Sequence, residues 1–318
     1  MRLCRYQEKG KPRIAIYTDG RIIDINRAAA KLKVVIPTGD STNILDYLAP
    51  HGRSAKATVK VQEGFDKLPP GDQRRLSRPV KEAQLLVPVA EPRKVICLAG
   101  NYGAHIIEGG GVAHERAETF PYFFCKPPTT TLTNPGSPIK IPRVSPDHVD
   151  WEIELGVIIG RTARHVREKD ALTHVAGYTV CNDISDRRFR INPERKQREK
   201  DTFFDWQHGK WHDTFLPMGP CVRTAASLPD PQNLRLMLTV NGNVMQDANT
   251  GQMIFPVAAL ISILSSIMTL EPGDIIVSGT PSGVGHARKP PIYLRPKDEV
   301  EAEIETIGVL RNPVVAEK

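Results

Sequence analysis

Two glutamates placed two residues apart, Glu152 and Glu154, are the residues of this sequence best suited to chemistry. They open the stretch WEIELGVIIG (151–160), whose apolar remainder is typical of a buried strand. In a strand, residues i and i+2 project from the same face, so the two carboxylates would lie side by side. Buried paired carboxylates repel each other unless a proton or a cation compensates them. A hard divalent cation such as Mg²⁺ or Mn²⁺, which prefers oxygen ligands, is the simplest compensation.

A third carboxylate, Asp183, follows another run typical of a buried strand, YTVC (178–181). The end of a buried strand is a usual position for a catalytic group on a β scaffold. The residue types alone leave an alternative open. Glu152 and Glu154 could face solvent on an edge strand while Asp183 caps a turn.

His105 and Glu108 form a second candidate pair, because residues three apart meet on one turn of helix. A carboxylate beside an imidazole fixes its tautomer and raises its basicity, so the pair could activate a water molecule. Three glycines at 109–111 follow and predict a loop able to close over a site. On spacing alone, a solvated surface pair is the commoner interpretation.

Three further residues could hold an anionic substrate. Lys126 and Arg187 could grip a carboxylate, Arg187 through its two-pronged guanidinium. Thr280, in the glycine-rich segment 278–285, could offer hydroxyl and backbone N–H groups to the same anion. That segment also has a plain interpretation as a tight β-turn.

The elements that must position these residues are mostly strands. Apolar or β-branched runs bounded by turn residues predict strands at 95–99, 155–159, 178–181, 236–240 and 275–277. Asn241-Gly242 predicts a hairpin, and the apolar stripe from Val257 to Met268 predicts a helix. Residues 1–78 are expected to form a small N-terminal domain, and 79–318 a larger catalytic one. In the small domain, the pattern predicts strands at 13–17 and 22–25, helices at 26–33 and 42–48, and a linker at 68–75.

Composition excludes several classes of protein. The 318-residue chain has 40% hydrophobic and 25% charged residues, ordinary values for a globular protein with a sizeable core. Its most apolar stretch is too short and too polar for a bilayer, and its start lacks the apolar core of a secretory signal. Five widely spaced cysteines without a C-x-x-C pair predict reduced thiols. We therefore expect a cytoplasmic protein without membrane contact.

Most of the net charge of +7 lies in one segment. Between Arg187 and Lys200, seven lysines and arginines accompany two glutamates, an excess of +5. Neither aromatic platforms nor a helix-turn-helix pattern support the run, so nucleic-acid binding is not expected. A solvated, mobile insertion is the simplest interpretation, and a rim that draws small anions toward a nearby site is the alternative.

Six short motifs in order give the chain a specific resemblance. They are Gly100-Asn101-Tyr102 with His105 and Glu108, Lys126-Pro127-Pro128, Glu152-Ile153-Glu154-Leu155, Asn182-Asp183-Ile184-Ser185 with Arg187, Gly209-Lys210 before Pro217-Met218-Gly219-Pro220, and 278–285. From about residue 93 to 312, the chain resembles the fumarylacetoacetate hydrolase family in its acylpyruvase and oxaloacetate decarboxylase branch. The resemblance implies an α+β, β-rich fold, in which a mixed β-sandwich roll follows a small N-terminal α/β domain. It also implies a homodimer.

The resemblance assigns roles to individual residues. The family's metal set falls on three carboxylates, Glu152, Glu154 and Asp183, with Mg²⁺ or Mn²⁺ as the cofactor and Ca²⁺ as a further option. The family's lid dyad falls on His105 and Glu108. Lys210 matches the lysine that reaches the substrate carbonyl, where an ammonium could stabilise developing enolate charge.

The function implied is metal-dependent hydrolysis of a C–C bond in a 2-oxo or 1,3-diketo acid of the acylpyruvate type, through a metal-stabilised enolate. One alternative is a decarboxylase or isomerase of a 2-oxo dicarboxylic acid on the same site. Another is a catalytically silent protein that binds a dicarboxylate. Arg190 replaces a glutamine frequent in the family, which suggests an additional carboxylate on the substrate. Asn101 replaces an acidic ligand, which favours three carboxylates over four, and the charged segment 192–205 before Lys210 is a further departure.

Overall fold

Strands predominate in the computed structural model, which describes residues 1–318. The strands are β1 (Arg2–Glu8), β2 (Lys11–Tyr17), β3 (Arg21–Asp24), β4 (Ser77–Pro79), β5 (Gln84–Leu86), β6 (Val95–Ala99), β7 (Tyr122–Cys125), β8 (Leu132–Thr133), β9 (Ile139–Ile141), β10 (Val149–Asp150), β11 (Ile153–Ile159), β12 (Val175–Asn182), β13 (Ser185–Asp186), β14 (Leu216–Thr224), β15 (Arg235–Val240), β16 (Asn243–Asn249), β17 (Ile275–Val277), β18 (Glu299–Ile304) and β19 (Gly308–Ala316). The α-helices are α1 (Ile25–Leu32), α2 (Ala55–Phe65), α3 (Pro70–Leu76), α4 (Gly103–Glu108), α5 (Asp201–His208) and α6 (Val257–Ile267). None of these helices has the length and apolarity needed to cross a membrane.

Twelve strands form one mixed sheet, with β11 in its interior. The order is β4-β3-β2-β1-β14-β12-β11-β17-β6-β7, while β5 pairs with β1 and β8 with β14. All seven residues of β11 are buried, as its nearly unbroken apolar run predicts. Antiparallel pairing places Ile153 opposite Asn182, so the start of β11 lies beside the end of β12. The two carboxylate-bearing segments therefore meet at one edge of these strands.

A second sheet of five strands, in the order β16-β15-β18-β19-β9, packs against the first. Leu155 from β11 and Leu236 and Leu238 from β15 belong to one hydrophobic core that joins the two sheets. Burial of each such side chain contributes about 1.5–3 kcal/mol relative to its exposure. The predicted α+β, β-rich architecture is confirmed.

Local sequence signals located most elements to within a few residues. The five strands predicted in the larger part of the chain all form. Asn241 and Gly242 join β15 to β16 with positive φ angles of 52° and 78°, which their residue types tolerate. The predicted apolar stripe forms α6, with Pro256 as its N-cap residue.

The N-terminal 78 residues share the large sheet with the rest of the chain, because β1 pairs with β14. The predicted strands and the first helix form there, but 42–48 holds a 3₁₀ turn (Ile44–Tyr47) instead of an α-helix. The prediction of a linker at 68–75 is wrong, since α3 covers most of it. Pro70 suits the first turn of α3, and the Gln73 side chain donates to Phe65 O over 3.1 Å. A domain division after residue 78 stays a prediction.

Asp24 caps α1 and is expected to stabilise the N-terminal region. Its buried carboxylate accepts hydrogen bonds from Tyr6 Oη (2.6 Å), Arg13 Nε (2.6 Å) and Arg27 N (2.9 Å). Burial opposes ionisation, but the bonds from Arg13 and Tyr6 outweigh it and lower the pKa of Asp24. We expect Asp24→Asn to lower the free energy of unfolding, measured in urea at pH 7, by about 2 kcal/mol.

Because the pKa of Asp24 is depressed in the folded protein, this stabilisation is present above about pH 4, the unfolded value, and is lost as the pH falls further. The stability difference between parent and variant should therefore shrink in acid. Asp66→Asn, at an exposed position after α2, is the matched control and should leave the free energy of unfolding unchanged. Equal stability of the Asp24 variant and the parent at pH 7 would contradict the interpretation.

Candidate metal and substrate site

Three buried carboxylates meet where β11 begins and β12 ends. Glu154 lies in β11, Glu152 directly precedes it, and Asp183 directly follows β12. Backbone bonds lock the two segments together, since Glu152 N donates to Asn182 Oδ1 (2.9 Å) and Asp183 N donates to Glu152 O (2.8 Å). One oxygen from each of the three side chains lies within 4.8 Å of the others. The structure thus brings together the three residues that the sequence predicted as metal ligands.

The carboxylates differ in their electrostatic surroundings. Burial disfavours ionisation of Glu152, but Lys210 and Arg187 outweigh it and lower its pKa to about 2. For Glu154, burial and the neighbouring Asp183 and Glu152 all act in one direction and raise its pKa well above the usual value. Glu154 Oε2 accepts a hydrogen bond from Gly279 N, whereas the buried Oε1 has no partner. Without a further cation, Glu154 therefore favours its protonated form.

Two buried lysines neutralise much of the cluster. Lys210 Nζ donates to Glu152 Oε2 (2.7 Å) and Asp183 Oδ2 (2.8 Å). Lys126 Nζ pairs with Asp183 Oδ1 and donates to Ile184 O (2.9 Å). Burial opposes the charge of Lys210, but Asp183 and Glu152 outweigh it and raise its pKa, whereas burial dominates and lowers the pKa of Lys126. Lys126, predicted to grip the substrate, here holds the carboxylate of Asp183.

Arg187 is positioned by a residue that the sequence reasoning missed, Asp150. Arg187 Nε donates to Asp150 Oδ2 (2.8 Å), and its Nη2 lies 2.7 Å from Glu152 Oε1 without the alignment of a hydrogen bond. The buried Asp150 carboxylate also accepts from Gly285 N (2.8 Å) and His286 N (2.9 Å). Asp150 thus joins the arginine to the glycine-rich turn. Its position two residues before Glu152 is the sequence signal that could have identified it.

We expect Asp150→Asn to lower the free energy of unfolding by about 3 kcal/mol, because it removes one of the two carboxylates that face the largely buried Arg187 guanidinium and leaves only Glu152. Urea denaturation at pH 7 measures the effect. Asp147→Asn, which removes an exposed pairing with Arg295, is the control and should cost less than about 1 kcal/mol. A cost for Asp150→Asn no larger than that of the control would show that the buried pair is not important for stability.

His105 and Glu108 meet on α4, as their spacing predicts. The Nδ1 atom of His105 lies 2.8 Å from Glu108 Oε1, and Glu108 Oε2 accepts from Gly283 N (2.8 Å). The second contact ties α4 to the glycine-rich turn. Since Nδ1 is engaged, Nε2 is the ring nitrogen of His105 that remains free for a substrate.

A small cavity of about 80 Å³ lies at the site. Its lining includes predicted residues, namely His105, Glu152, Arg187, Lys210 and Thr280, together with Leu98, Ala99, Gly100, Phe124 and Trp206. The Thr280 hydroxyl donates to Ile153 O (3.0 Å) and accepts from Gln246 Nε2 (2.8 Å), so it orders the turn. Phe124 and Trp206 had no polar signal that sequence reasoning could use.

Arg190 is a correction to the expected site. Its side chain is exposed, forms no ion pair and does not line the cavity. The chain leaves the site after β13 and runs along the surface. Arg190 therefore gives no support to the prediction that the substrate has an additional carboxylate. Asn101 was expected to leave the site with three carboxylates and not four. Its side-chain amide donates to Phe255 O and Ser278 O and accepts from Phe255 N. The amide is therefore used in holding the backbone, and the three carboxylates remain as the oxygen ligands.

The donor set fits a hard divalent cation. All three converging groups are carboxylates, the ligand type that Mg²⁺ and Mn²⁺ prefer. Glu154 Oε1 is buried without a hydrogen-bond partner, and such an orphaned oxygen is a costly feature unless a cation or proton satisfies it. Glu152, Glu154 and Asp183 could therefore hold the ion, and the geometry does not select one metal.

Comparison with known proteins places this β-rich fold and its acidic site in a class of enzymes. Residues 94–315, which are more than half of the chain, match the family model described as fumarylacetoacetate (FAA) hydrolase C-terminal. The chain belongs to the fumarylacetoacetate hydrolase family, as its six motifs predicted, and it is an enzyme of that family.

Its relatives carry out more than one reaction. Oxaloacetate tautomerase fahd2, mitochondrial, of Xenopus laevis is 36% identical over 319 residues, which cover 99% of this chain and 90% of the relative. The 2,4-didehydro-3-deoxy-L-rhamnonate hydrolase of a Sphingomonas strain is 36% identical over 316 residues, which cover 99% of this chain and 96% of the relative. Among solved structures, a maleylpyruvate hydrolase from Sphingobium in complex with manganese(II) and pyruvate is 27% identical with a TM-score of 0.73, covering all of both chains.

Proposed function

We propose that this protein is a divalent-metal-dependent enzyme that interconverts the keto and enol forms of a small 2-oxo dicarboxylic acid of the oxaloacetate type. The proposal is carried by one arrangement: three buried carboxylates within 4.8 Å of one another, beside Lys210 and Arg187, at a cavity that His105 also lines. Such a site suits an enolate, the anion shared by tautomerisation, decarboxylation and C–C cleavage of 2-oxo acids.

The charges around the cavity suit a small anion. Asp150 and the three clustered carboxyl groups are accompanied by three buried or largely buried cations, Lys126, Arg187 and Lys210. When bound, a divalent ion supplies two further positive charges next to the oxygen on which enolate charge develops. With all of these groups ionised, the four carboxylates, the three cations and the ion together have a net charge of +1, which favours an anionic substrate.

The side chains at the cavity have separate tasks in the proposed reaction. Lys210 uses two of its three N–H groups on Glu152 and Asp183, which leaves one to donate to the enolate oxygen. His105 Nε2 removes a proton from the carbon beside the substrate carbonyl and returns that proton to the enolate oxygen, so the conversion of keto to enol form is balanced. Glu108 Oε1 accepts from His105 Nδ1 and so holds the imidazole in the required orientation and tautomer.

Hydrolysis of a C–C bond in an acylpyruvate-type acid is a second candidate, favoured by the same His105–Glu108 pair, which is also suited to activating water. The names of the rhamnonate and maleylpyruvate hydrolases support it. We place tautomerisation first because relatives from Xenopus laevis, Bos taurus and Homo sapiens carry that name. A cavity of about 80 Å³ also suits a short acid better than a long acid together with a water molecule.

Two measurements test these proposals. Calorimetric titration of oxalate, a stable mimic of an enolate, should show binding with Mg²⁺ or Mn²⁺ and none with EDTA. Ultraviolet absorbance of oxaloacetate should then show accelerated enol–keto exchange by the metal-loaded enzyme, with little loss of total acid. Loss of total oxaloacetate would identify a decarboxylase, and turnover of acetylpyruvate alone would identify the hydrolase. Oxalate binding without any turnover would favour a binding protein, and no binding under any metal would overturn the proposal.

We also propose that the protein is a homodimer located in the cytoplasm, as the family resemblance and the sequence imply. Light scattering during size-exclusion chromatography tests the assembly, with twice the 35.3 kDa chain mass as the expected result. Several relatives are named as mitochondrial, a description that concerns those proteins.

A further inference from the structure

Two aromatic rings form one wall of the cavity. Trp206 on α5 and Phe124 on β7 both line it, and they meet edge to face with ring centroids 5.0 Å apart and an interplanar angle of 70°. Edge-to-face aromatic pairs of this kind are favourable beyond simple burial. With Leu98 and Ala99, the rings form the apolar portion of the cavity lining.

Lys210 lies between this aromatic wall and the carboxylates. Its Nζ is 5.1 Å from the Phe124 ring centroid and 5.9 Å from that of Trp206, within the range of cation–π attraction. On its other side, the ammonium bonds Glu152 and Asp183. A substrate whose oxygens approach Lys210 therefore comes within reach of the rings.

Trp206 is held in place from both ends of α5. At the start, Asp201 accepts from Arg198 N (3.0 Å) and Arg198 Nε (2.9 Å). At the end, Asp186 N donates to Gly209 O (2.9 Å), and a Cβ at Gly209 would lie only 2.3 Å from Asp186 O. The charged segment that precedes α5 is thus the anchor of the helix that carries the aromatic wall.

We infer that Trp206 is the specificity-determining residue of the site and that, with Phe124, it limits the substrate to short 2-oxo acids of about four or five carbons. The cavity of about 80 Å³ is well below the about 300 Å³ at which pockets for drug-sized ligands begin. The inference rests on the proposed function for the position of the substrate's oxygens. The chain-length limit is inferred from the position of the two rings in the cavity lining.

A series of N-alkyl oxamates, which are inert and differ only in chain length, tests the limit by calorimetry in the presence of Mn²⁺. The parent protein should bind oxamate and N-methyl oxamate and should lose affinity at N-propyl and N-butyl. Trp206→Ala should improve binding of the longer members by at least about tenfold, the discrimination usual for one or two methylene groups in a pocket. The deciding readout is the ratio of the affinity for N-butyl oxamate to the affinity for oxalate in the same variant, which should rise by at least about tenfold.

Phe204→Ala, on the same helix but exposed, is the matched control and should leave the whole series unchanged. Trp206→Leu, which keeps an apolar side chain while removing the ring, serves as a second variant in case Trp206→Ala does not fold. An unchanged length preference in the folded variant would overturn the inference about Trp206. Failure of oxalate to bind the parent protein with metal would instead overturn the proposed function, so the two failures are distinguishable.

Discussion

Replacing Glu154 by glutamine is expected to weaken metal binding by more than about 100-fold while leaving the metal-free protein folded. The amide has the shape of a protonated carboxyl group, the form that burial, Asp183 and Glu152 favour by raising the pKa of Glu154. It lacks the negative charge that a divalent cation requires. Calorimetric titration with Mn²⁺ measures the affinity, and thermal unfolding with and without Mn²⁺ measures the stabilisation that binding confers.

The same variant has an expected dependence on pH. Above about pH 4.3, unfolded glutamate has lost the proton that folded Glu154 retains, so this group makes the metal-free parent less stable as the pH rises. Glutamine removes that dependence. In EDTA, Glu154→Gln should therefore gain stability relative to the parent as the pH rises above the unfolded value. Glu301→Gln, at an exposed ion pair with Arg311, is the control for both measurements. Unchanged Mn²⁺ affinity in Glu154→Gln would remove this residue from the metal site.

Replacing Glu108 by glutamine is expected to lower kcat by about 10²–10³-fold, within the range for loss of general acid–base assistance. The glutamine oxygen can still accept from Gly283 N, so the contact of α4 with the turn remains. What is lost is the carboxylate that faces His105 Nδ1 and fixes the tautomer of the ring. Initial rates with oxaloacetate at saturating Mn²⁺ measure the effect.

Oxalate binding shows whether Glu108→Gln affects only the reaction or also the structure of the metal and substrate site. Because Glu108 contacts neither the three carboxylates nor Lys210, metal-dependent oxalate affinity should change by no more than a few-fold. Glu115→Gln, in the exposed loop after α4, is the control and should retain the full rate. A full rate in Glu108→Gln would remove the dyad from the reaction, and loss of oxalate binding would show that Glu108 organises the site as a whole.

Strand periodicity predicted that the two glutamates lie side by side, and the family resemblance added Asp183 to them. Glu152 and Glu154 are related by the two-residue repeat of a strand, and the apolar run after them indicates burial. Helical spacing predicted the His105–Glu108 contact in the same way. These two predictions succeeded because each depends on residues only two or three positions apart in the chain. The linker predicted at 68–75 failed because a polar, proline-containing stretch is compatible with both a loop and the first turn of a helix.

Long-range pairing decided the remainder of the site. Lys126 and Lys210 are 57 and 27 residues from Asp183, yet both bind its carboxylate. Which cation faces a carboxylate and which faces a substrate depends on the register between strands. That register is set by the whole sheet, so no local pattern could assign Lys126 to Asp183 or remove Arg190 from the cavity.

By itself, the sequence determined the family, the β-rich architecture and the three carboxylates, because these are expressed in short motifs and in the periodicity of single strands. Only the tertiary structure decided that Asp150 joins Arg187 to the glycine-rich turn and that Trp206 and Phe124 close the cavity. Apolar rings and buried ion pairs acquire their function from what packs against them. That packing is a property of the folded chain as a whole.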